Sequence, residues 1–99
     1  MIVKSLKSIP EQELLEMIKH DNQLFGTQHD MTLTIKIETI KGYLRSAGVS
    51  EAVIGSTLAV GVISRGVMDI WNYGNGDTKL SPFYYELADQ LRDIEVLDE

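Results

Sequence analysis

Residues 64–91 read SRGVMDIWNYGNGDTKLSPFYYELADQL, and this stretch decides the fold class. It contains an amphipathic run, a turn of Asn and Gly at 72–77, and a Ser-Pro pair that opens a second amphipathic run. Asn and Gly adopt positive φ angles at little cost, and Ser followed by Pro is typical of a helix N-terminus. The stretch therefore predicts two helices joined by a Gly-rich turn.

The helix before this turn is predicted to begin at Ser50, a favourable cap residue, and to continue to about Asn72 with a break near Gly55. One of its faces is apolar and the opposite arc is polar, so we expect the apolar face to lie in a core. The apolar face comprises Ala59, Ile63, Gly66, Val67 and Ile70. The polar arc comprises Thr57, Ser64, Arg65, Asp69 and Asn72.

A strip of small residues runs along the same helix. It consists of Gly55, Ala59, Val62 and Gly66. A glycine inside a helix costs roughly 0.5–1 kcal/mol relative to Ala, so we expect another helix to approach closely, either from this chain or from a neighbouring subunit. Trp71 and Tyr73 close the helix. Trp71 either packs on Phe83 or Leu87 or serves as an aromatic anchor at an interface.

A first helix is predicted at residues 10–21, because Ser8 and Glu11 have the spacing of a capping box and apolar residues follow at helical spacing. A polar linker follows this helix. We therefore expect residues 1–30 to form an N-terminal helical arm outside the core, appended to a helical domain at 31–99. Removal of the arm should then leave a folded domain.

The next helix is predicted at residues 35–47, with Thr34 as its cap and Gly48 at its end. Residues 32–37 also alternate as a strand would, but a helix is favoured because no partner strand is evident. The last helix is predicted to start at Ser81. Its apolar stripe comprises Phe83, Leu87, Leu91 and Ile94. The segments together predict an all-α bundle of about four helices.

The composition fits one globular domain of 99 residues, with 43% apolar and 24% charged residues. The absence of Cys excludes disulfides and thiol chemistry and fits a reducing cytosol. No apolar run approaches the roughly 20 residues of a membrane span, and no signal peptide is evident, so we expect no membrane association.

Negative charge is concentrated at the C-terminal end. Of the net charge of −6, residues 81–99 carry −5, with one basic and six acidic residues. Such a chain is a poor ligand for a nucleic-acid backbone. The chain ends in Ile94, Glu95, Val96, Leu97, Asp98 and Glu99. This end is either a solvated tail or a peptide that docks on a basic partner, and loss of binding on its removal would favour docking.

Few residues suggest chemistry. His20 and His29 lie beside Asp21 and Asp30, which in principle suits a metal, but the two histidines are separated by a predicted loop, and solvated side chains are the favoured interpretation. No His is placed to activate a serine. We expect no catalytic residue, no metal and no cofactor, and hence no enzyme.

Four patterns together resemble the small head–tail connector (adaptor) proteins of tailed bacteriophages and their prophages. They are IETIKGYL at 37–44, AGVS at 47–50, GVMDIWNYGNG at 66–76 and LSPF at 80–83. The resemblance covers about residues 31–92 and is strongest in Asp-x-Trp-Asn-Tyr-Gly-x-Gly followed by Ser-Pro. Residues 1–30 fall outside it.

The resemblance implies a helical, non-catalytic protein that assembles as a homo-oligomeric ring beneath the portal and receives a stopper or tail-completion protein. The ring extends the DNA channel without binding DNA specifically. The protein is then made in the bacterial host cytoplasm and localises to the head–tail interface of the virion. Residues 94–99 would reach into the portal, and the strip of small residues with Trp71 and Tyr73 would pack between ring neighbours.

A small helical DNA-binding or regulatory protein is the alternative. Gly48 between two predicted helices resembles the turn of a helix–turn–helix, and Lys36, Lys41 and Arg45 share the preceding helix. The helix after the turn is almost free of residues that read bases, and the chain is acidic. Retention on heparin would favour this alternative, whereas ring formation with a portal would favour the adaptor.

Overall fold

Five α-helices are present in the part of the chain that the computed structural model describes, which is residues 2–3, 6–73 and 80–96, with the backbone alone at 2, 3, 72 and 73. They are α1 (Glu11–Asp21), α2 (Asp30–Ser46), α3 (Glu51–Ile54), α4 (Val60–Tyr73) and α5 (Pro82–Arg92). A 3₁₀ turn at Thr57–Ala59 joins α3 to α4, and two short strands, β1 (Ile2–Val3) and β2 (Glu95–Val96), pair in parallel. The predicted all-α class is confirmed. The predicted turn falls largely on residues 74–79, outside the described ranges.

Two of the predicted helix starts are fixed by serine side chains that act as N-caps. The Ser50 side chain accepts a hydrogen bond from the backbone N–H of Val53 at 3.4 Å, and the Ser81 side chain accepts one from Tyr84 at 3.2 Å. Both serines satisfy N–H groups that a helix start leaves free. Ser56 separates α3 from the 3₁₀ turn, so the predicted break is also confirmed.

Two predicted N-caps, Ser8 and Thr34, are wrong, although α1 has the predicted bounds to within one residue. The N-cap of α1 is Pro10 and has no side-chain cap, because the segment around Ser8 pairs instead with the chain just after α3. Helix α2 begins at Asp30, and Thr34 lies inside it, with its hydroxyl donating to the Asp30 carbonyl at 2.8 Å. The helix ends before Gly48, whose φ of +94° suits glycine, as predicted.

One core forms between α2 and α4 and is extended by α1 and α5. Seven large side chains are almost fully buried there: Ile18, Leu33, Ile40, Leu44, Val53, Ile63 and Val67. Burial of each such aliphatic side chain is worth roughly 1.5–3 kcal/mol. Because these side chains come from α1, α2, α3 and α4, the helices share a single hydrophobic interior.

Residues 1–30 contribute to this core, in contrast to the predicted arm. Three side chains of α1 are buried in it: Leu14, Leu15 and Ile18. Before α1, the backbone N–H of Ile9 donates to the Gly55 carbonyl at 2.9 Å, and β1 pairs with β2 at the other end of the chain. The placement of residues 1–30 outside the core is therefore corrected. Independent folding of residues 31–99 stays a prediction, and these contacts weigh against it.

Helix α5 is rotated relative to the predicted stripe. Its buried side chains are Tyr84, Ala88 and Leu91, whereas Phe83 is 54% exposed. A Cβ built on Gly66 of α4 would lie 3.0 Å from the ring of Tyr84. The ring thus occupies the space that the glycine leaves open, and this fit places Tyr84 rather than Phe83 on the inner side.

Candidate protein-interaction surfaces

The predicted strip of small residues faces the interior. Ala59, Val62 and Gly66 are all buried. A Cβ on Gly66 would lie 2.8 Å from Cδ1 of Ile40 in α2, closer than real Cβ atoms approach, so the closely packed partner is a helix of the same chain. The assignment of these three residues to a subunit interface is wrong, because α2 and α5 already occupy that side of α4.

The other predicted interface residues have different surroundings. Gly55 is half-buried, and its carbonyl accepts a backbone hydrogen bond within the chain. Trp71 is partly buried against the core, and its ring meets His29 edge-on with 5.1 Å between centroids, so His29 takes the place of the predicted ring partner Phe83. The Tyr73 side chain lies outside the described part of the chain. An anchoring role for Trp71 stays a prediction.

The first half of the predicted docking tail is engaged within the chain. Ile94 and Val96 pack against the core, and β2 pairs with β1 in the register Ile2–Glu95. Residues Ile94, Glu95 and Val96 are therefore not a free peptide, because their apolar side chains and backbone groups already have partners. Leu97, Asp98 and Glu99 fall outside the described residues.

The two histidines do not converge. His20 is exposed at the end of α1, whereas the ring of His29 meets that of Trp71 edge-on. Within residues 6–71 and 80–96, whose side chains are described, no group of three or more potential metal ligands lies together. Nor does any described helix combine the length and apolar character needed to cross a bilayer.

A buried polar junction that the sequence analysis missed joins α1 to α4. Ser64 was assigned to the polar arc, but it is only 3% exposed. Its hydroxyl donates to Oδ2 of Asp21 at 2.7 Å and accepts from Nδ2 of Asn22 at 3.0 Å. Buried polar groups are tolerated when they are hydrogen-bonded in this way. The junction fixes the end of α1 on α4.

A second missed junction lies at the start of α5. Asp69 is 6% exposed, and its Oδ2 accepts from the backbone N–H and the hydroxyl of Ser81 at 3.0 and 2.8 Å. Nε of Arg65 lies 3.5 Å from Oδ1 of the same carboxylate, and its guanidinium covers the Phe83 ring. Asp69 and Ser81, which belong to the sequence patterns at 66–76 and 80–83, therefore form one hydrogen-bonded unit.

Two ion pairs and one buried tyrosine have shifted pKa values. Lys19 Nζ lies 2.8 Å from Asp30 Oδ1, and this hydrogen bond raises the pKa of the lysine while it ties α1 to α2. The hydrogen bond from Arg45 lowers the pKa of Glu51. Burial raises the pKa of Tyr84 to about 12.

The side of α2 that points away from α4 is exposed and apolar. On it, Met31 is 79%, Ile35 62% and Tyr43 49% exposed. At 100° per residue, positions 31, 35, 39, 42, 43 and 46 lie opposite the buried positions 33, 37, 40 and 44, and none of the six is charged. We call Met31, Ile35, Gly42 and Tyr43 the α2 outer face. A solvated helix face normally carries charges, so the lack of charge is a sequence signal, but it includes Met31 only because α2 begins at Asp30.

A groove of about 580 Å³ lies on the opposite side, between α1 and α4. Its floor is formed by Met17, Val60 and Gly61. Its rim carries Glu13, Glu16, His20 and Asp21. We call this set the α1–α4 groove. Because a Cβ on Gly61 would meet nothing within 4 Å, the floor is open at this glycine.

Comparison of the chain with models of protein families, with curated proteins and with solved structures found no match.

Proposed function

We propose that this chain is a structural adaptor of a tailed bacteriophage or prophage. It would assemble as a ring between the portal and a stopper or tail-completion protein and extend the DNA channel there. Its place is then the head–tail interface of the virion, after synthesis in the host cytoplasm. The sequence pattern at 66–76 and 80–83 suggests this function, and the positions of its residues support it.

The best-matching part of that pattern has a structural role. Asp69 is buried, and it holds Ser81 through both the backbone N–H and the hydroxyl. The pattern thereby sets how α5 leaves the turn after α4. A residue pair that shapes the scaffold, rather than one that presents reactive groups to solvent, is what a structural adaptor requires.

The observation that carries the proposal is the pair of exposed surfaces on opposite sides of the chain. Large contiguous apolar patches on the surface of a soluble protein mark interaction sites. Both the α2 outer face and the α1–α4 groove have large apolar side chains in contact with solvent. A chain that binds proteins on two sides is suited to a ring that contacts its neighbours. The net charge of −6 is compatible with DNA passing without being held.

The DNA-binding alternative is not favoured. A helix–turn–helix needs a recognition helix after the turn, but α3 after Gly48 has only four residues. Two of the three basic residues on α2 are already paired, Lys41 with Glu38 and Arg45 with Glu51.

The test is assembly with a portal. The purified chain is mixed with the portal protein encoded by the same phage or prophage genome, and the particles are imaged by electron microscopy. We expect a second ring on one end of the portal, and further growth when the stopper protein is added. Failure to bind the portal, together with salt-dependent retention on heparin, would contradict the adaptor and favour the DNA binder.

A further inference from the structure

Two helix glycines have no explanation inside the chain. A Cβ on Gly42 or on Gly61 would meet nothing within 4 Å, in contrast to a Cβ on Gly66. Glycine in a helix interior costs roughly 0.5–1 kcal/mol relative to Ala. Packing within the chain does not require a glycine at either position, so it does not explain this cost. Gly61 is exposed and Gly42 is half-buried, and at both positions an approaching backbone would find open space.

The two glycines lie on opposite sides of the molecule. Helices α2 and α4 pack together through Ile40 and Gly66. Gly42 is 200° around α2 from Ile40, and Gly61 is 140° around α4 from Gly66, at 100° per residue. Both therefore point outward, away from the α2–α4 contact. A pair of surfaces placed in this way can join copies head to tail, because each copy offers one surface to each neighbour.

The charges of the two surfaces are complementary. Helix α1, which forms the rim of the groove, has four acidic residues and one basic residue, a net charge of −3. The single base, Lys19, lies 2.8 Å from Asp30 and 3.6 Å from Glu16 of the rim, so it offsets only part of this negative charge. Helix α2 has three basic and two acidic residues, a net charge of +1. Two of its basic residues are already paired, Lys41 with Glu38 and Arg45 with Glu51. Lys36, at the edge of the outer face, has no salt bridge within the described part of the chain and accounts for the positive charge there.

The outer face is the longer of the two surfaces. The groove residues from Glu13 to Asp21 span about 12 Å of helix at 1.5 Å per residue, and the outer face from Met31 to Tyr43 spans about 18 Å. Exposed Ile35 supplies an apolar side chain two turns before Gly42 on the outer face, and Met17 and Val60 line the groove with Gly61. An uncharged outer face with Lys36 at its edge thus suits a groove with an acidic rim.

We propose that the α2 outer face of one copy docks in the α1–α4 groove of the next copy, with Gly42 and Gly61 at the closest approach of the two helices. This inference rests on the proposed function for its setting, since repeated head-to-tail contacts close into a ring when the rotation between copies permits. The occupant of the groove is thus a second copy of this chain.

Engineered thiols test the contact, because the chain has no Cys of its own. Gly42→Cys and Gly61→Cys are made as two single variants and as one double variant. The single variants, their mixture and the double variant are oxidised with glutathione disulfide at high protein concentration. The products are analysed by non-reducing electrophoresis. The open space at both glycines keeps these variants folded, which thermal unfolding verifies. As a matched control, Gln90→Cys replaces Gly61→Cys, since Gln90 is exposed on α5 and belongs to neither surface.

We expect a covalent dimer from the mixture of Gly42→Cys and Gly61→Cys and a ladder of larger species from the double variant. Each single variant alone should stay monomeric, as should Gly42→Cys mixed with Gln90→Cys. A dimer of Gly42→Cys alone would overturn the proposal, because it would show two α2 outer faces in contact. A mixture that cross-links no more than the Gln90→Cys control, both in solution and on any portal-bound ring, would overturn it as well.

The outcomes separate this inference from the proposed function. Cross-linking of the mixture without ring formation on the portal would keep the head-to-tail contact and remove the adaptor. A portal-bound ring without a cross-link between positions 42 and 61 would keep the adaptor and remove the contact.

Discussion

The inner side of α4 and the outer side of α2 each contain a helix glycine, and the two glycines have different causes. On the inner side, the space beside Gly66 is filled by Ile40 and Tyr84. On the outer side, the space beside Gly42 is empty, as it is beside Gly61 on the outer side of α4. The first glycine is explained by packing within the chain, whereas no described contact of the chain requires a glycine at the other two positions.

The same contrast applies to polar side chains. On α4, Ser64 and Asp69 point inward, and each has hydrogen-bond partners within the chain. On α2, the outer face has no charge and its apolar side chains are exposed. The inner region therefore has its packing and hydrogen bonds completed, and the outer region does not. The following predictions proceed from the largest expected effect to the smallest.

Deletion of residues 1–30 should abolish cooperative folding, because it removes α1 from the inner region. The loss of Leu14, Leu15 and Ile18 from the core amounts to roughly 4–9 kcal/mol, at about 1.5–3 kcal/mol for each, out of a total stability that is typically 5–15 kcal/mol. Urea unfolding followed by circular dichroism checks this. A sharp, cooperative transition of residues 31–99 would contradict this expectation and support the predicted N-terminal arm outside the core.

Substitution of Gly66→Val should lower the free energy of unfolding by about 1–3 kcal/mol, since the added atoms collide with Ile40 and Tyr84. The matched control is Gly61→Val, which places the same side chain in open space on the same helix. Urea titration of the two variants gives the difference. Equal free energies of unfolding would remove the distinction between the inner and outer glycines.

Stability should fall as the pH rises from 10 to 12. Burial raises the Tyr84 pKa from 10.0 to about 12, so the neutral phenol stabilises the fold below pH 10, and this contribution is lost as the pH passes 12. The effect is up to roughly 2–3 kcal/mol at 1.36 kcal/mol per pKa unit. The raised pKa of Lys19 acts in the same direction.

The pH dependence of chemical unfolding for Tyr84→Phe and Tyr85→Phe tests this assignment. In the Tyr84→Phe variant, the free energy of unfolding should fall less steeply between pH 10 and 12. The fall that remains is the contribution of Lys19. Tyr85 is exposed, so Tyr85→Phe should behave as the parent does. The same fall in both variants would exclude Tyr84 as its source.

The smallest expected effect is a gain in stability. Gly42→Ala and Gly61→Ala should each raise the free energy of unfolding by roughly 0.5–1 kcal/mol, because Ala is the better helix former and meets no atom at either site. Gly66→Ala should give no such gain. Urea midpoints of the three proteins check this order of stabilities. A loss of stability in Gly42→Ala would indicate a contact within the chain that the structure does not show.

Local signals allowed much of the fold to be predicted. Ser50 and Ser81 were recognised as caps because a cap depends on a few adjacent residues. The start of α2 was missed because its N-cap, His29, makes no side-chain hydrogen bond, while Thr34 has the residue type of a cap but bonds inside the helix. The pairing of β1 with β2 joins the two ends of the chain, and no local pattern announces such a contact.

The candidate surfaces were harder to predict. A pattern of polar and apolar residues assigns Ser64 and Asp69 to solvent, because buried and solvated polar groups look alike in sequence. The strip that contains Gly66 was a correct sign of close packing, but the sequence left open which helix approaches. The uncharged side of α2 was readable only once the helix was known to start at Asp30, which adds Met31 to that face.

The most direct test of the outer surfaces combines stability and assembly in one variant, Gly42→Leu. The account predicts a protein with an unfolding midpoint no lower than that of the parent, because the site is open within the chain, and with no ring on the portal by electron microscopy. A stable Gly42→Leu protein that still forms the complete ring would contradict the claim that this face is a contact between copies.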